Sequence, residues 1–299
     1  MQESLTEVLS KLKKNWTRVV NADEVEQICR SLGLCWRDRI LGPAQTVQLF
    51  VLQILHGNTA LSHVRYFTTR GFSAAAYCKA RSRLPLELFE QLLKKMADRF
   101  RCQTELWRGR RLYLVDGSTF SMSDLPALQK HFGQPSVQKK GCGFPVAHFV
   151  ALFDAGTGLI RRVLSGPLIT HDLTSCVKLH PALKQSDVLV GDRAFCSYAH
   201  LALLVRRGVD AVFRMQAMQI VNFRSGRAYS SKEKGKPRSR WEKKLGLRDQ
   251  LVTWFKPTSV PLWMPDSRWG PQGIFYVLSG LQPCAYSDDE FRTGAGGDA

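Results

Sequence analysis

Two short stretches, LYLVD at residues 112–116 and DVLVGD at residues 187–192, set the fold class of this chain. In each stretch, a run of strand-forming apolar residues ends at an aspartate, Asp116 or Asp192, that neighbours a glycine. Short apolar runs bounded by turn-forming residues are typical of strands buried inside a sheet. We therefore predict two core strands, the first of which ends at the Asp-Gly pair of residues 116–117.

Further strands and helices alternate around these two core strands. Apolar runs predict strands at residues 146–153, 159–164, 211–215, 251–255 and 274–278. One helix is predicted to run to about residue 179 from a cap at residues 170–172, and another directly after Ser197, a residue that can cap a helix. Strands followed by helices within one core predict an α/β domain with a mixed sheet.

Residues 1–107 carry helical patterns instead. Ser4 and Glu7 form a capping-box pattern, and Pro85 stands where a later amphipathic helix can begin. Three basic residues shortly before that helix are candidate phosphate contacts, with a solvated surface as the alternative: Lys79, Arg81 and Arg83. The sequence therefore predicts a helical N-terminal region.

The charge balance points to a polyanionic partner. The 299 residues include 43 Lys and Arg against 25 Asp and Glu, which gives a formal net charge of +18. An excess of this size repels itself unless a polyanion neutralises it. The 44% share of apolar residues excludes a wholly disordered chain. Nucleic acid or an anionic membrane surface is therefore the expected partner.

The membrane alternative is the weaker of the two. The strongest apolar run, residues 47–55, is far shorter than the roughly 18–20 residues that span a bilayer. The N-terminus lacks the pattern of a signal peptide. The eight cysteines are scattered without a C-x-x-C pair, so neither a zinc site nor a disulfide framework is expected. These features predict a cytoplasmic protein with reduced, buried thiols and no membrane partner.

Residues 223–248 form a basic segment, with ten Lys and Arg against two Glu. Basic residues interleaved with an aromatic residue, here Trp241, suit a phosphate backbone, and the alternative is a solvated, disordered insertion. Four residues in the second half of this segment are candidate DNA contacts: Arg238, Arg240, Lys243 and Lys244.

The two strand-end aspartates are the candidate catalytic and metal-binding residues. If the two strands are neighbours, Asp116 and Asp192 share one sheet edge and can hold a hard divalent cation, as phosphoryl transfer requires. The alternative is that each aspartate simply forms a turn or caps a helix.

Three motifs carry a family resemblance: DGST at residues 116–119, QPSVQKKGCGFP at residues 134–145 and GDRAFCSY at residues 191–198. In this order they closely resemble the DDE transposases of bacterial insertion sequences, of the insertion-sequence-four type. The likeness runs from about residue 73 to residue 286.

The resemblance implies an RNase H-like catalytic domain over residues 108–299, with a mixed sheet flanked by helices. It implies a helical DNA-binding region over residues 1–107 and a basic, β-rich insertion over residues 216–272. Asp116 and Asp192 correspond to metal-binding carboxylates, with Mg²⁺ as the cofactor and Mn²⁺ as a substitute. Arg193 and Arg214 correspond to DNA-contacting positions, with a structural salt bridge as the alternative. The implied partner is double-stranded DNA, both element ends and target, bound by a homodimer.

The third acid of this family is missing from its expected place. The family pattern Tyr-x-x-Arg-x-x-x-Glu does not follow the turn at residues 283–286, and Glu290 lacks the Tyr and Arg at the required spacing. We assign no catalytic role to Glu290 and expect a frameshift or premature stop. The expected function is metal-dependent DNA cleavage and strand transfer, and the alternative is a catalytically inactive, truncated DNA-binding remnant. A stand-alone metal-dependent nuclease is a third, less supported possibility.

Overall fold

The computed structural model describes residues 20–69, 71–101, 107–139, 143–168, 172–221, 236–237, 239–240 and 243. The chain divides into two compact units, Met1–Gln103 and Thr104–Ala299. Within the described ranges, no helix is both long enough and apolar enough to cross a membrane.

The first unit is helical over its described residues, which confirms the prediction of a helical N-terminal region. Its elements are α1 (Ala22–Ser31), α2 (Pro43–Leu55), α3 (Leu61–Val64), a 3-10 turn (Arg65–Phe67), α4 (Ala74–Ser82) and α5 (Leu86–Arg101). The side chain of Asn21 caps α1 and that of Ser73 caps α4. Helix α5 begins directly after Pro85, as predicted.

Two apolar clusters hold this unit together. One joins α1, α2 and α5 through Val25, Ile28, Val47 and Leu88. The other packs Leu49, Val64 and Tyr77, so that α3 and α4 join the opposite side of α2. Full burial of each such side chain stabilises the fold by roughly 1.5–3 kcal/mol. The predicted capping box at Ser4 lies outside the described residues.

The second unit is built on a five-stranded mixed sheet. Its elements are β1 (Leu112–Ser121), α6 (Pro126–Phe132), β2 (Val146–Asp154), β3 (Ile160–Pro167), α7 (Asp172–Leu179), a 3-10 turn (His180–Ala182), β4 (Val188–Gly191), α8 (Tyr198–Arg206) and β5 (Asp210–Phe213). The strand order is β3-β2-β1-β4-β5, with β1 to β3 antiparallel and β1, β4 and β5 parallel. This is the RNase H-like arrangement, and it confirms the predicted fold class.

Helices α7 and α8 cover one face of this sheet. Tyr113 and Val115 from β1 are buried there against Leu179 of α7 and Leu204 of α8. Side chains alternate between the faces of a strand, so the neighbours of these residues point the other way. The opposite face shows four apolar side chains that are each more than a third exposed: Leu114, Phe120, Val163 and Val212.

Strand β1 is longer than the sequence predicted. It continues through Asp116 and Gly117 to Ser121, because β2 pairs with it along its whole length, from Tyr113↔Asp154 to Ser121↔Val146. The predicted strand end at residues 116–117 was therefore wrong. This position in the strand requires a glycine, because a Cβ on Gly117 would lie only 2.9 Å from a carboxylate oxygen of Asp172.

A separate two-stranded ladder follows β5. Strand β6 (Ile220–Val221) pairs antiparallel with β7 (Lys236–Pro237). The ladder lies inside the predicted insertion at residues 216–272. The strands predicted at residues 251–255 and 274–278 lie outside the described residues.

Candidate active site

Strand β1 presents Asp116 on the open face of the sheet. Val115 is buried in the core on the α7–α8 face, and alternation turns the next side chain to the other face. Asp116 is accordingly exposed. The register pairs Val115 with Gly191 of the parallel neighbour β4.

Strand β4 presents Asp192 in the same way. A Cβ on Gly191 would lie 2.8 Å from Cγ1 of Val115 and 3.0 Å from Cε1 of Phe213, so this position faces the core and only glycine fits there. Asp192, the next residue, is exposed. The backbone N–H of Ala194 donates a 2.8 Å hydrogen bond to Oδ1 of Asp192, which fixes a turn directly after the strand.

A positively charged residue follows β5 in the same row as the two carboxylates. Gly191 is in register with Phe213, which packs against the core, and the following Arg214 is exposed. Three neighbouring parallel strands therefore each place a residue directly after the register row Val115, Gly191 and Phe213. We call Asp116, Asp192 and Arg214 the charged row.

The two carboxylates of the charged row are suitable ligands for a hard divalent cation. Oδ1 of Asp116 accepts the backbone N–H of Gly117 at 2.8 Å, and Oδ1 of Asp192 is bonded similarly at its turn. Neither carboxylate forms an ion pair within the described part of the chain, so one oxygen of each stays available. Carboxylate oxygens are the ligands that Mg²⁺ and Mn²⁺ prefer.

Arg193 stands beside the row. It is exposed in the turn after β4, and its backbone carbonyl accepts a 3.3 Å hydrogen bond from Nε2 of Gln216. This bond ties the turn to the chain that follows β5. Over the described ranges, the structural salt bridge considered as an alternative for Arg193 and Arg214 is not seen. Their contact with DNA stays a prediction.

A histidine–aspartate pair that the sequence did not indicate lies beside β1. Nε2 of His148 on β2 contacts Oδ1 of Asp172, the first residue of α7. The Asp172 carboxylate occupies the space next to Gly117, one residue along the chain from Asp116. His148 is only 8% exposed. The signal in the sequence is the glycine, because a glycine inside a strand marks a close approach by another group.

In the helical unit, the three predicted phosphate contacts lie on or next to α4. Lys79 and Arg83 are exposed. Arg81 is half-buried: its Nη1 donates to Oε1 of Gln53 at 3.1 Å, and its guanidinium lies 5.4 Å from the ring centre of Phe50. Arg81 therefore has a packing role that the sequence did not predict. The DNA contacts at these positions stay predictions.

The predicted contacts in the basic segment are only partly described. Arg240 and Lys243 are exposed. Arg238 and Lys244 lie outside the described residues, and so does Glu290.

The fold and the charged row together define an RNase H-like domain with one carboxylate within β1 and a second directly after the adjacent parallel strand β4. The family model described as "Transposase DDE domain" matches residues 107–281, more than half of the chain. The chain therefore belongs to the transposase DDE domain family.

The remaining comparisons are distant. A piggyBac transposase, solved by cryo-electron microscopy as a synaptic complex with hairpin DNA, is 11% identical, with a TM-score of 0.32. The match covers 71% of this chain and 51% of that chain, so this chain spans about half the length of that neighbour. A likeness at this score carries no conclusion about function. No curated protein matches the chain.

Proposed function

We propose that this chain is a transposase that binds the DNA ends of its own mobile element and catalyses metal-dependent strand cleavage and transfer. The charged row supports this proposal most directly. Membership in the transposase DDE domain family predicts carboxylates on neighbouring strands of the sheet, and Asp116 and Asp192 follow positions that are register partners on β1 and β4.

In this proposal, Asp116 and Asp192 hold Mg²⁺, or Mn²⁺ as a substitute. When bound, such an ion neutralises charge on the scissile phosphate and on the attacking and leaving oxygens. Strand β1 and the turn after β4 fix the two carboxylates before DNA arrives, so little positional freedom is lost in the reaction. Water attacks the phosphorus at the element end and displaces the 3′-oxygen of the element, which leaves as a 3′-hydroxyl. This hydroxyl then attacks a phosphorus of the target DNA and displaces the 3′-oxygen of the target strand.

The arginines bind and orient the DNA backbone. Arg214, at the end of the row, and Arg193, in the adjacent turn, are exposed next to the two carboxylates. Guanidinium groups bind phosphate oxygens in a bidentate manner, which orients the phosphate as well as attracting it. The two arginines therefore offset the repulsion between the carboxylates and the DNA.

The rest of the basic charge binds the flanking double-stranded DNA. We assign this role to Lys79 and Arg83 in the helical unit and to the basic segment at residues 223–248. The resemblance to transposases of bacterial insertion sequences supports a homodimer that assembles on two element ends. It also supports an origin in a bacterial element of the insertion-sequence-four type.

A strand-nicking assay tests the proposal. The purified chain is incubated with a labelled duplex that carries the element's own terminal sequence, with Mg²⁺ or with EDTA. The proposal requires nicks at the element end with Mg²⁺ and none with EDTA. DNA binding without any nicking would favour the inactive DNA-binding remnant. Absence of both binding and nicking would refute the proposal.

A further inference from the structure

Three metal-ligating side chains meet in the core of the second unit, on the face of the sheet away from the charged row. They are Cys176 of α7, His180 of the following 3-10 turn and His200 of α8, and all three are buried. Their ligand atoms lie within 4.8 Å of one another. We call these three residues the Cys-His-His cluster.

Two of the three distances within the cluster approach those of a tetrahedral metal site. Sγ of Cys176 lies 3.5 Å from Nε2 of His200, and Nε2 of His180 lies 2.9 Å from the same atom. With metal–nitrogen bonds of about 2.0–2.1 Å and metal–sulfur bonds of about 2.3 Å, neighbouring ligand atoms stand roughly 3.3–3.6 Å apart. The pair of histidines needs to open by only a few tenths of an ångström.

Hydrogen bonding already orients one ligand toward the centre of the cluster. Nδ1 of His200 donates a 2.7 Å hydrogen bond to the backbone carbonyl of Phe195, because a carbonyl only accepts. The neutral ring therefore keeps its lone pair on Nε2, the atom that faces Cys176 and His180. An outer-shell carbonyl that fixes the tautomer in this way is the usual partner of a metal-bound histidine.

Burial favours the uncharged form of all three side chains. Burial, and then the neighbouring His200 and Arg207, lower the pKa of His180 to about 4. Burial also lowers the pKa of His200. Burial and then Asp172 raise the pKa of the Cys176 thiol to about 12. A bound ion would have to displace the thiol proton to water, which the raised pKa of Cys176 opposes.

We propose that the Cys-His-His cluster binds one Zn²⁺ ion that anchors the active-site turn to the helical layer. One thiolate and two imidazoles are donors that Zn²⁺ favours, and this set differs from the oxygen donors of the charged row. The sequence did not indicate this site, because the sequence analysis looked for zinc ligands only as C-x-x-C pairs. The three ligands instead combine a C-x-x-x-H spacing with a histidine twenty residues further on.

The position of His200 gives the ion its role. Through Phe195, His200 holds the turn that begins at Asp192, and its ring stacks on Phe213 with centroids 5.1 Å apart. Phe213 directly precedes Arg214 in the charged row. A metal bound to His200 would therefore fix both the Asp192 turn and the end of β5, and it would link them to α7 through Cys176.

Metal content and Co²⁺ spectroscopy test the site on the full chain, purified without a polyhistidine tag. We expect about one zinc per chain. Replacement of zinc by Co²⁺ should give the visible bands of a tetrahedral site and a near-ultraviolet thiolate-to-cobalt charge-transfer band. Cys176→Ala should abolish the charge-transfer band. It should also weaken zinc binding by more than the roughly 10- to 100-fold that loss of an outer-shell partner costs.

Two further variants serve as controls. Cys196→Ala removes another buried thiol of the same unit and should leave the bands unchanged. The double variant Asp116→Asn/Asp192→Asn should abolish nicking but keep the Co²⁺ spectrum, which separates this site from the proposed active site. If Cys176→Ala does not fold, His180→Gln replaces it, and zinc should raise the Tm of the wild-type chain but not of the variant.

Three results would overturn the proposal. They are a wild-type chain that takes up neither Zn²⁺ nor Co²⁺, a Co²⁺ spectrum without a thiolate band, and a spectrum that survives Cys176→Ala. Any of these would show that the three side chains form only a buried hydrogen-bonded cluster.

Discussion

The alternation of side chains along β1, β4 and β5 determines which residues face the core and which form the charged row. Val115, Gly191 and Phe213 face α7 and α8, while Asp116, Asp192 and Arg214 directly follow them in the chain and are exposed. A shift of register by one residue would bury two carboxylates and a guanidinium, at a cost of several kcal/mol for each ion. The packing that stabilises the sheet therefore also holds the charged row in place.

Neutralising either carboxylate should abolish nicking. Asp116→Asn and Asp192→Asn keep the size of the side chain but remove the negative oxygen that holds the cation. We expect nicking of element ends to fall at least about a hundredfold, the scale on which one electrostatic group contributes at a reacting centre. DNA affinity in a gel-shift assay should stay the same or rise slightly, because a negative charge near phosphate is removed.

Asp124→Asn is the matched control for these variants. Asp124 is exposed in the same unit, and its Oδ1 accepts a 3.0 Å hydrogen bond from Gln129 that an asparagine can also accept. Nicking should be unchanged. Nicking at the wild-type rate by Asp116→Asn would remove this residue from the proposed site.

Glu290 should be dispensable for cleavage. It lacks the tyrosine and arginine that accompany the third acid in the insertion-sequence-four pattern, so we assign it no ligand role. Glu290→Gln should therefore nick element ends at the wild-type rate, measured in parallel with Asp192→Asn. If Glu290→Gln instead abolishes Mg²⁺-dependent nicking while DNA affinity is kept, Glu290 is the third acid.

Among the secondary-structure elements, those defined by local patterns were predictable from the sequence. The runs LYLV and DVLV indicated β1 and β4, and the capping residue Ser197 indicated the start of α8, where its hydroxyl accepts the N–H of His200. Asp116 and Asp192 were selected as candidates because each follows such a run, Asp192 after one intervening glycine. The sequence thus indicated the strands, their class of sheet and the two carboxylates.

Features that depend on distant partners were not predictable. Strand β1 runs past its Asp-Gly pair because β2, about thirty residues further along the chain, pairs with its second half. The contact between His148 and Asp172 joins β2 to α7, and the Cys-His-His cluster joins α7 to α8. Spacing rules detect ligands that are close in the sequence. His148 and Asp172 are far apart in the sequence, as is His200 from the other two members of the Cys-His-His cluster, and these groups meet only in the folded domain.

Gly191 should not tolerate a methyl group, because β4 passes between two packed side chains. A Cβ there would lie 2.8 Å from Val115 and 3.0 Å from Phe213. Gly191→Ala should lower the free energy of unfolding by about 1–3 kcal/mol, the usual cost of overpacking a core. It should also reduce nicking, since both neighbours directly precede members of the charged row.

Gly71→Ala is the control, because a Cβ there meets nothing within 4 Å. Chemical denaturation should show unchanged or slightly higher stability for this variant, since alanine restricts the unfolded chain. If Gly191→Ala has the stability and the nicking rate of the wild-type chain, the close packing of β4 is not what positions Asp192.

For the whole molecule, the net charge of +18 sets how DNA binding responds to salt. Each phosphate that a basic side chain neutralises releases condensed counterions, so the logarithm of the binding constant falls linearly with the logarithm of salt concentration. With about six phosphate contacts, the slope on duplex DNA should be roughly −5. A slope near zero in a fluorescence-anisotropy titration would exclude nucleic acid as the main partner.

The basic segment should contribute measurably to this salt dependence of DNA binding. Replacing Arg238, Arg240, Lys243 and Lys244 by Gln should make the slope less steep by up to about 0.9 for each phosphate that the variant no longer neutralises. The control replaces four exposed lysines outside the segment by Gln, namely Lys94, Lys130, Lys178 and Lys184. Both variants carry the same net charge, so general attraction to DNA falls equally in the two. A difference in slope therefore comes from direct contacts with phosphate, and identical slopes would show that the basic segment acts only as solvated surface.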